Sequence, residues 1–217
     1  MKGLLFISHQ TAKYSTLESI EIALKGGCKH IQLRMKEATT EEIALTGKKA
    51  LLLCREYQAN LYIDDQVEIC KTLQANGVHL GKNDMPPSEA RHILGNTYCI
   101  GGTANTWEDI LHLKKEGIDY IGLGPYNYTT TKKNLSSILG LKGYEELLTL
   151  CKKNKIEIPI LAIGGITLED IPSLLKIGVS GIALSSTILN AEHPIEETKR
   201  IIEIIQNNNY ETIKNWR

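Results

Sequence analysis

The chain has 217 residues, 42% of them apolar and 23% charged, the balance of a soluble globular protein with a sizeable core. Lys plus Arg and Asp plus Glu stand at 25 each, which points away from nucleic acid or an anionic membrane as partner. An α/β barrel of this length is usually undivided.

In chain order, short apolar runs alternate with longer amphipathic stretches. The predicted strands are Leu4–Ser8, His30–Arg34, Asn60–Asp64, Gly77–Leu80, Tyr98–Gly101, Tyr120–Gly124, Ile158–Ile163 and Gly181–Ser185. Their Ile, Val, Leu and Tyr content suits strands covered on both faces. The intervening helices are expected over Ser15–Lys25, Thr39–Tyr57, Val67–Gln74, Ser88–Leu94, Thr106–Lys115, Gly143–Lys152, Leu168–Lys176 and Ile195–Gln206. Thr39-Thr40-Glu41-Glu42 reads as a capping box, and Gly26, Gly95, Gly117 and Gly178 stand where helices would end. Strand then helix, repeated eight times, predicts a single-domain (β/α)8 TIM barrel over residues 1–206, followed by a short polar C-terminal tail at 207–217. A doubly wound open sheet is the rival architecture.

The five cysteines, Cys28, Cys54, Cys70, Cys99 and Cys151, are odd in number, widely spaced and without a Cys-x-x-Cys. They read as small buried hydrophobes rather than a disulfide or zinc framework. The apolar start is interrupted at once by Gln10 and Lys13, unlike a signal peptide, and no window reaches the roughly 20 apolar residues of a membrane span. The reading is a cytoplasmic protein.

Barrel enzymes build their sites at the C-terminal strand ends. Here those ends carry Gln32, Arg34 and Lys36; Asp64 and Asp65; Gly81 to Asp84; Thr103; Gly124 to Lys132; Gly164 and Gly165; and Ser185 and Ser186. Converging carboxylates at Asp64, Asp65 and Asp84 invite a Mg²⁺, although Asp65 and Asp84 could equally cap a helix and a turn. Arg34 and Lys36, two apart, point the same way in extended chain and with Lys132 could hold a pyrophosphate, or form a solvated rim. The glycine turn at Gly164-Gly165 and the Ser185-Ser186 pair suit a phosphate group, or simply a tight turn. His79, inside a predicted strand, reads more readily as a hydrogen-bonded core residue than as a catalyst.

Together, Gln32-Leu-Arg-Met-Lys36, Asp64-Asp65, Gly77-Val-His-Leu-Gly-Lys-Asn-Asp84, Asp119-Tyr-Ile-Gly-Leu-Gly-Pro125, Thr129-Thr-Thr-Lys132, Ala162-Ile-Gly-Gly-Ile166 and Gly181-Ile-Ala-Leu-Ser-Ser186 resemble the thiamine phosphate synthase family, in order from about residue 3 to residue 205. The resemblance implies a transferase that couples hydroxymethylpyrimidine pyrophosphate to thiazole phosphate and releases pyrophosphate, with Mg²⁺ as cofactor. It implies Asp65 and Asp84 as metal ligands. Lys132, Arg34 and Thr103 are then the catalytic set, binding pyrophosphate with Lys36. Gln32 and Asp64 would touch the pyrimidine pyrophosphate, and Thr129, Thr131, Gly165, Ser185 and Ser186 the thiazole phosphate. The partners implied are these two small molecules, with no nucleic acid and no membrane; oligomeric state, a homo-oligomer included, is left open. Three departures from the family pattern stand out: Asp64 where Asn is usual, Thr103 where Ser is common, and Tyr126-Asn127-Tyr128 in place of a Phe-Pro type stretch. The alternative activities are a thiazole tautomerase and a non-catalytic barrel that binds thiamine intermediates.

Overall fold

The computed structural model describes residues 1–129 and 136–214, the last six of these as backbone only. Eight parallel strands close into a barrel in sequence order: β1 Gly3–Ile7, β2 His30–Leu33, β3 Asn60–Asp64, β4 Gly77–Leu80, β5 Cys99–Ala104, β6 Tyr120–Leu123, β7 Ile160–Ile163 and β8 Gly181–Leu184. The helices are α1 Thr16–Lys25, α2 Thr40–Glu56, α3 Val67–Leu73, α4 Pro87–Leu94, α5 Trp107–Glu116, α6 Gly140–Lys153, α7 Ile171–Ile177, α8 Ser186–Leu189 and α9 Pro194–Lys214. Closure pairs β1 with β8 at Gly3 to Gly181 and removes every free strand edge. The open-sheet alternative is thereby excluded.

Local sequence explains the element ends. Capping boxes start α1, α2 and α5, at Ser15 with Glu18, Thr39 with Glu42, and Thr106 with Asp109. Each satisfies backbone donors that the first helical turn leaves open. Gly26, Gly95, Gly117 and Gly178 stand at helix C-caps. Differences from the sequence reading are small. β5 runs on to Ala104, which puts Thr103 inside a strand. α8, four residues long, is below the length at which helical periodicity shows. α9 continues as helix to Lys214, through most of the segment read as a polar tail.

The core has two layers. Leu5, Tyr62, Tyr120, Leu161 and Ala183 point into the barrel and form a compact inner cluster. Residues of opposite parity, such as Phe6, Ile31, Ile63, Ile121 and Ile182, meet the helices in a larger outer cluster. Side chains alternate along a strand. The parity that turns Tyr62, Leu161 and Ala183 inward therefore turns Asp64, Ile163 and Ser185 inward one step nearer the barrel mouth. No helix among the described residues is long and apolar enough to cross a membrane. The cysteines are free thiols, all buried except the half-buried Cys99.

Candidate active site at the barrel mouth

The strand ends enclose a cavity of about 1070 Å³, its open mouth included. Its walls bring together Gln32, Arg34, Lys36, Asp64, Asp65, Thr103, Thr129, Gly165, Ser185 and Ser186. Asp84 lies on an adjoining groove that shares Arg34, Lys36 and Gly81 with the cavity. Thr131 and Lys132 lie outside the described residues. Apolar walls come from Ile7, Ile163, Ile166 and Leu184.

β2 and β3 supply the charged side. Gln32 Nε2 donates to Asp64 Oδ1 at 2.6 Å. Lys36 Nζ stands 3.2 Å from Asp64 Oδ2 and bonds Asp65 Oδ2, while Arg34 Nε is 3.8 Å from Asp64 Oδ2. Partial burial opposes the Lys36 charge, but Asp64 and Asp65 together raise its pKa, so the ammonium is held. Ser8, fully buried at the end of β1, accepts the Arg34 backbone N–H at 2.9 Å and fixes where the arginine leaves the strand.

Asp65 adopts φ +62°, a left-handed conformation uncommon for a residue with a side chain. Its backbone N–H donates to His79 O at 2.9 Å, which ties this turn to β4. Gln66 takes the N-cap position of α3 and no side chain caps it, so the helix-capping reading of Asp65 is corrected. Asp84 does close a turn, accepting the Gly81 N–H at 2.6 Å. The Asp65 and Asp84 carboxyls are close enough for each to shift the other's titration. Burial, the bond to Asp84 and the Asp64 charge push Asp65 up to about 7, against Lys36. Burial acts against the Asp84 anion too, yet the Asp65 bond, the Gly81 N–H and Lys36 hold it below the usual carboxylate range. Burial and the neighbouring carboxylates thus favour the protonated form of Asp65, while Asp84 keeps its charge.

Two buried side-chain oxygens, Asp65 Oδ1 and Ser185 Oγ, have no hydrogen-bond partner among the described residues, and a third, Asp64 Oδ2, is held only by its ion pairs to Lys36 and Arg34. All belong to residues of the cavity wall. Buried polar atoms are normally satisfied, so this clustering makes the cavity wall the candidate ligand position. No group of three or more His, Cys, Asp or Glu with metal-binding geometry occurs among the described residues.

The far side is built for close backbone approach. Gly164 and Gly165 have φ +93° and +64°. A Cβ on Gly165 would sit 2.4 Å from Tyr128 O, so only glycine lets the β7 loop pack on the segment carrying Thr129. Tyr144 braces that side, its hydroxyl donating to Leu123 O and accepting the Ile163 N–H. Sequence reading missed Ser8, Asn105 and Ser136 on the cavity wall. Asn105, just past β5, donates through Nδ2 to Gly124 O; its place at a strand end was the available signal.

The family model described as thiamine monophosphate synthase matches residues 4–188. The thiamine-phosphate synthase of Bacteroides thetaiotaomicron is 54% identical over 204 residues, covering 94% of this chain and 98% of that one. That of Pyrococcus horikoshii is 37% identical over 88% of each chain. A solved structure of thiamine phosphate pyrophosphorylase from Pyrococcus furiosus superposes with a TM-score of 0.83 at 33% identity, covering 95% of this chain and 96% of that one.

Proposed function

Since the chain belongs to the thiamine monophosphate synthase family, we propose that its barrel mouth binds both substrates of thiamine-phosphate synthase around a Mg²⁺ held by Asp65 and Asp84. The activity is that of a thiamine-phosphate synthase, a transferase of thiamine biosynthesis. The observation that carries the site assignment is the cluster of buried oxygens without a hydrogen-bond partner among the described residues, set in a wall of cations and glycine backbone.

The donor set fits Mg²⁺, which takes one or two carboxylates and completes its shell with water and phosphate oxygens. Asp65 Oδ1 is buried without a hydrogen-bond partner among the described residues, and crowded carboxylates such as Asp65 and Asp84 repel unless a proton or a cation lies between them. When bound, Mg²⁺ would neutralise charge on the departing pyrophosphate.

Arg34, Lys36, Thr103 and Lys132 bind the pyrophosphate of the pyrimidine substrate through charge-assisted hydrogen bonds. Lys36, paired with Asp64 and Asp65 in the free protein, exchanges them for phosphate oxygens. Gln32, anchored by Asp64, orients the pyrimidine. Thr129, Thr131, the Gly165 backbone, Ser185 and Ser186 hold the thiazole phosphate. The bond from the pyrimidine methylene carbon to the pyrophosphate oxygen breaks, and its electron pair leaves with pyrophosphate. The thiazole ring nitrogen then supplies its lone pair to the methylene cation. The residues need only bind, orient and exclude water from that cation, which is work for preorganised charge and an apolar wall rather than for a strong base. The balanced charge of the chain supports small-molecule partners rather than nucleic acid.

Asp65→Ala and Asp84→Ala, assayed for thiamine phosphate across a Mg²⁺ titration, test this assignment. Each is expected to lose most turnover with an unchanged circular dichroism spectrum. Wild-type activity at low Mg²⁺ in either variant would remove that residue from the metal site.

A further inference from the structure

Thr103 is tied to the barrel interior by hydrogen bonds that cross three strands. The Tyr120 hydroxyl on β6 lies 3.0 Å from Nδ1 of His79 on β4. The other ring nitrogen of His79 lies 3.0 Å from Oγ1 of Thr103 on β5. The sheet makes room for this chain with glycines. Gly101 sits in register with His79 on one side and Tyr120 on the other, and a Cβ there would lie 2.1 Å from the phenol ring. Gly122, in register with Thr103, would bring a Cβ within 3.0 Å of the imidazole Cε1. Two inward positions of the barrel are thus left without side chains where the chain of bonds passes.

The bonds have a direction. Tyr120 is fully buried, and burial raises its phenol pKa well above 10, so it keeps its proton. Among the described residues, His79 Nδ1 is the acceptor within reach of that O–H. A buried hydroxyl left undonated is unfavourable, so Nδ1 bears the lone pair and the neutral ring carries its proton on Nε2. Nε2–H then donates to Thr103 Oγ1. The Thr103 hydroxyl, having accepted from behind, directs its own proton to the cavity it lines. We propose that Tyr120 and His79 are positioning residues that fix Thr103 as a hydrogen-bond donor to the departing pyrophosphate. The inference rests on Thr103 being a pyrophosphate ligand.

The test combines histidine ¹⁵N NMR with inhibition by inorganic pyrophosphate in the presence of Mg²⁺. His79 should show a protonated Nε2 and a bare Nδ1. Thr103→Val should raise the inhibition constant about tenfold, the worth of one charge-assisted hydrogen bond. Tyr120→Phe should raise it about threefold alone and not at all in the Thr103→Val background. His79→Gln, which can return an N–H near the Nε2 position, should bind pyrophosphate better than His79→Leu. An unchanged constant in Thr103→Val would remove the ligand reading itself. If Thr103→Val weakens binding, a protonated Nδ1, or a Tyr120→Phe effect that persists without the Thr103 hydroxyl, would overturn the relay.

Discussion

Asp64→Asn isolates the charge that sets this chain apart from the pattern it otherwise resembles. The substitution keeps an oxygen for Gln32 Nε2 and removes the anion that faces Lys36 at 3.2 Å and Arg34 at 3.8 Å. Coulomb attraction at 3.2 Å with an effective dielectric near 20 is about 5 kcal/mol. The Lys36 side chain is 43% exposed, so water screens the pair toward the surface-bridge value of about 1 kcal/mol. Free Asp64→Asn protein should therefore lose about 1 kcal/mol and about 3 °C in Tm by calorimetry. The cations it releases are those proposed to receive pyrophosphate, so a similar energy returns on binding. KM for the pyrimidine pyrophosphate should fall about fivefold, with kcat little changed. A loss of turnover as large as that of Asp65→Ala would refute this reasoning and make Asp64 a metal or substrate ligand.

Ser185→Ala removes a buried hydroxyl with no partner among the described residues, so thermal stability should hold or rise slightly while KM for thiazole phosphate rises about tenfold. Steady-state kinetics beside a melting curve checks both halves. Lys132→Ala should cut turnover by two or more orders of magnitude if its ammonium meets the transition-state pyrophosphate, as rapid-quench measurement would show. In EDTA, the raised pKa of Asp65 means the folded protein holds a proton that the unfolded chain releases. Stability should then fall as pH rises from about 4 through about 7, and Asp65→Asn should flatten that slope in calorimetric scans.

The fold was legible because each βα unit announces itself locally. Thr39 and Glu42 mark one helix start, and Gly117 and Gly178 mark helix ends, without reference to any distant residue. Their places at strand ends put Asp64 and Arg34 at a common mouth, and the structure pairs them directly, with Lys36 bridging Asp64 and Asp65. What stayed hidden depends on register between strands. His79 and Tyr120 are 41 positions apart, and only closure of the barrel shows that Gly101 and Gly122 are empty for their sake. The left-handed turn at Asp65 was equally illegible, because the backbone bond that accompanies it reaches His79 O on the next strand. Ser8 looked like the end of an apolar run, and its support of Arg34 exists only once β1 and β2 pair.

The most direct test is turnover by the purified protein given hydroxymethylpyrimidine pyrophosphate, thiazole phosphate and Mg²⁺, with a matched EDTA reaction, following thiamine phosphate and pyrophosphate by mass spectrometry. Equal amounts of both products are expected with Mg²⁺ and none with EDTA. Intact substrates after incubation with folded, Mg²⁺-supplied protein, or product formation undiminished by EDTA, would contradict that expectation.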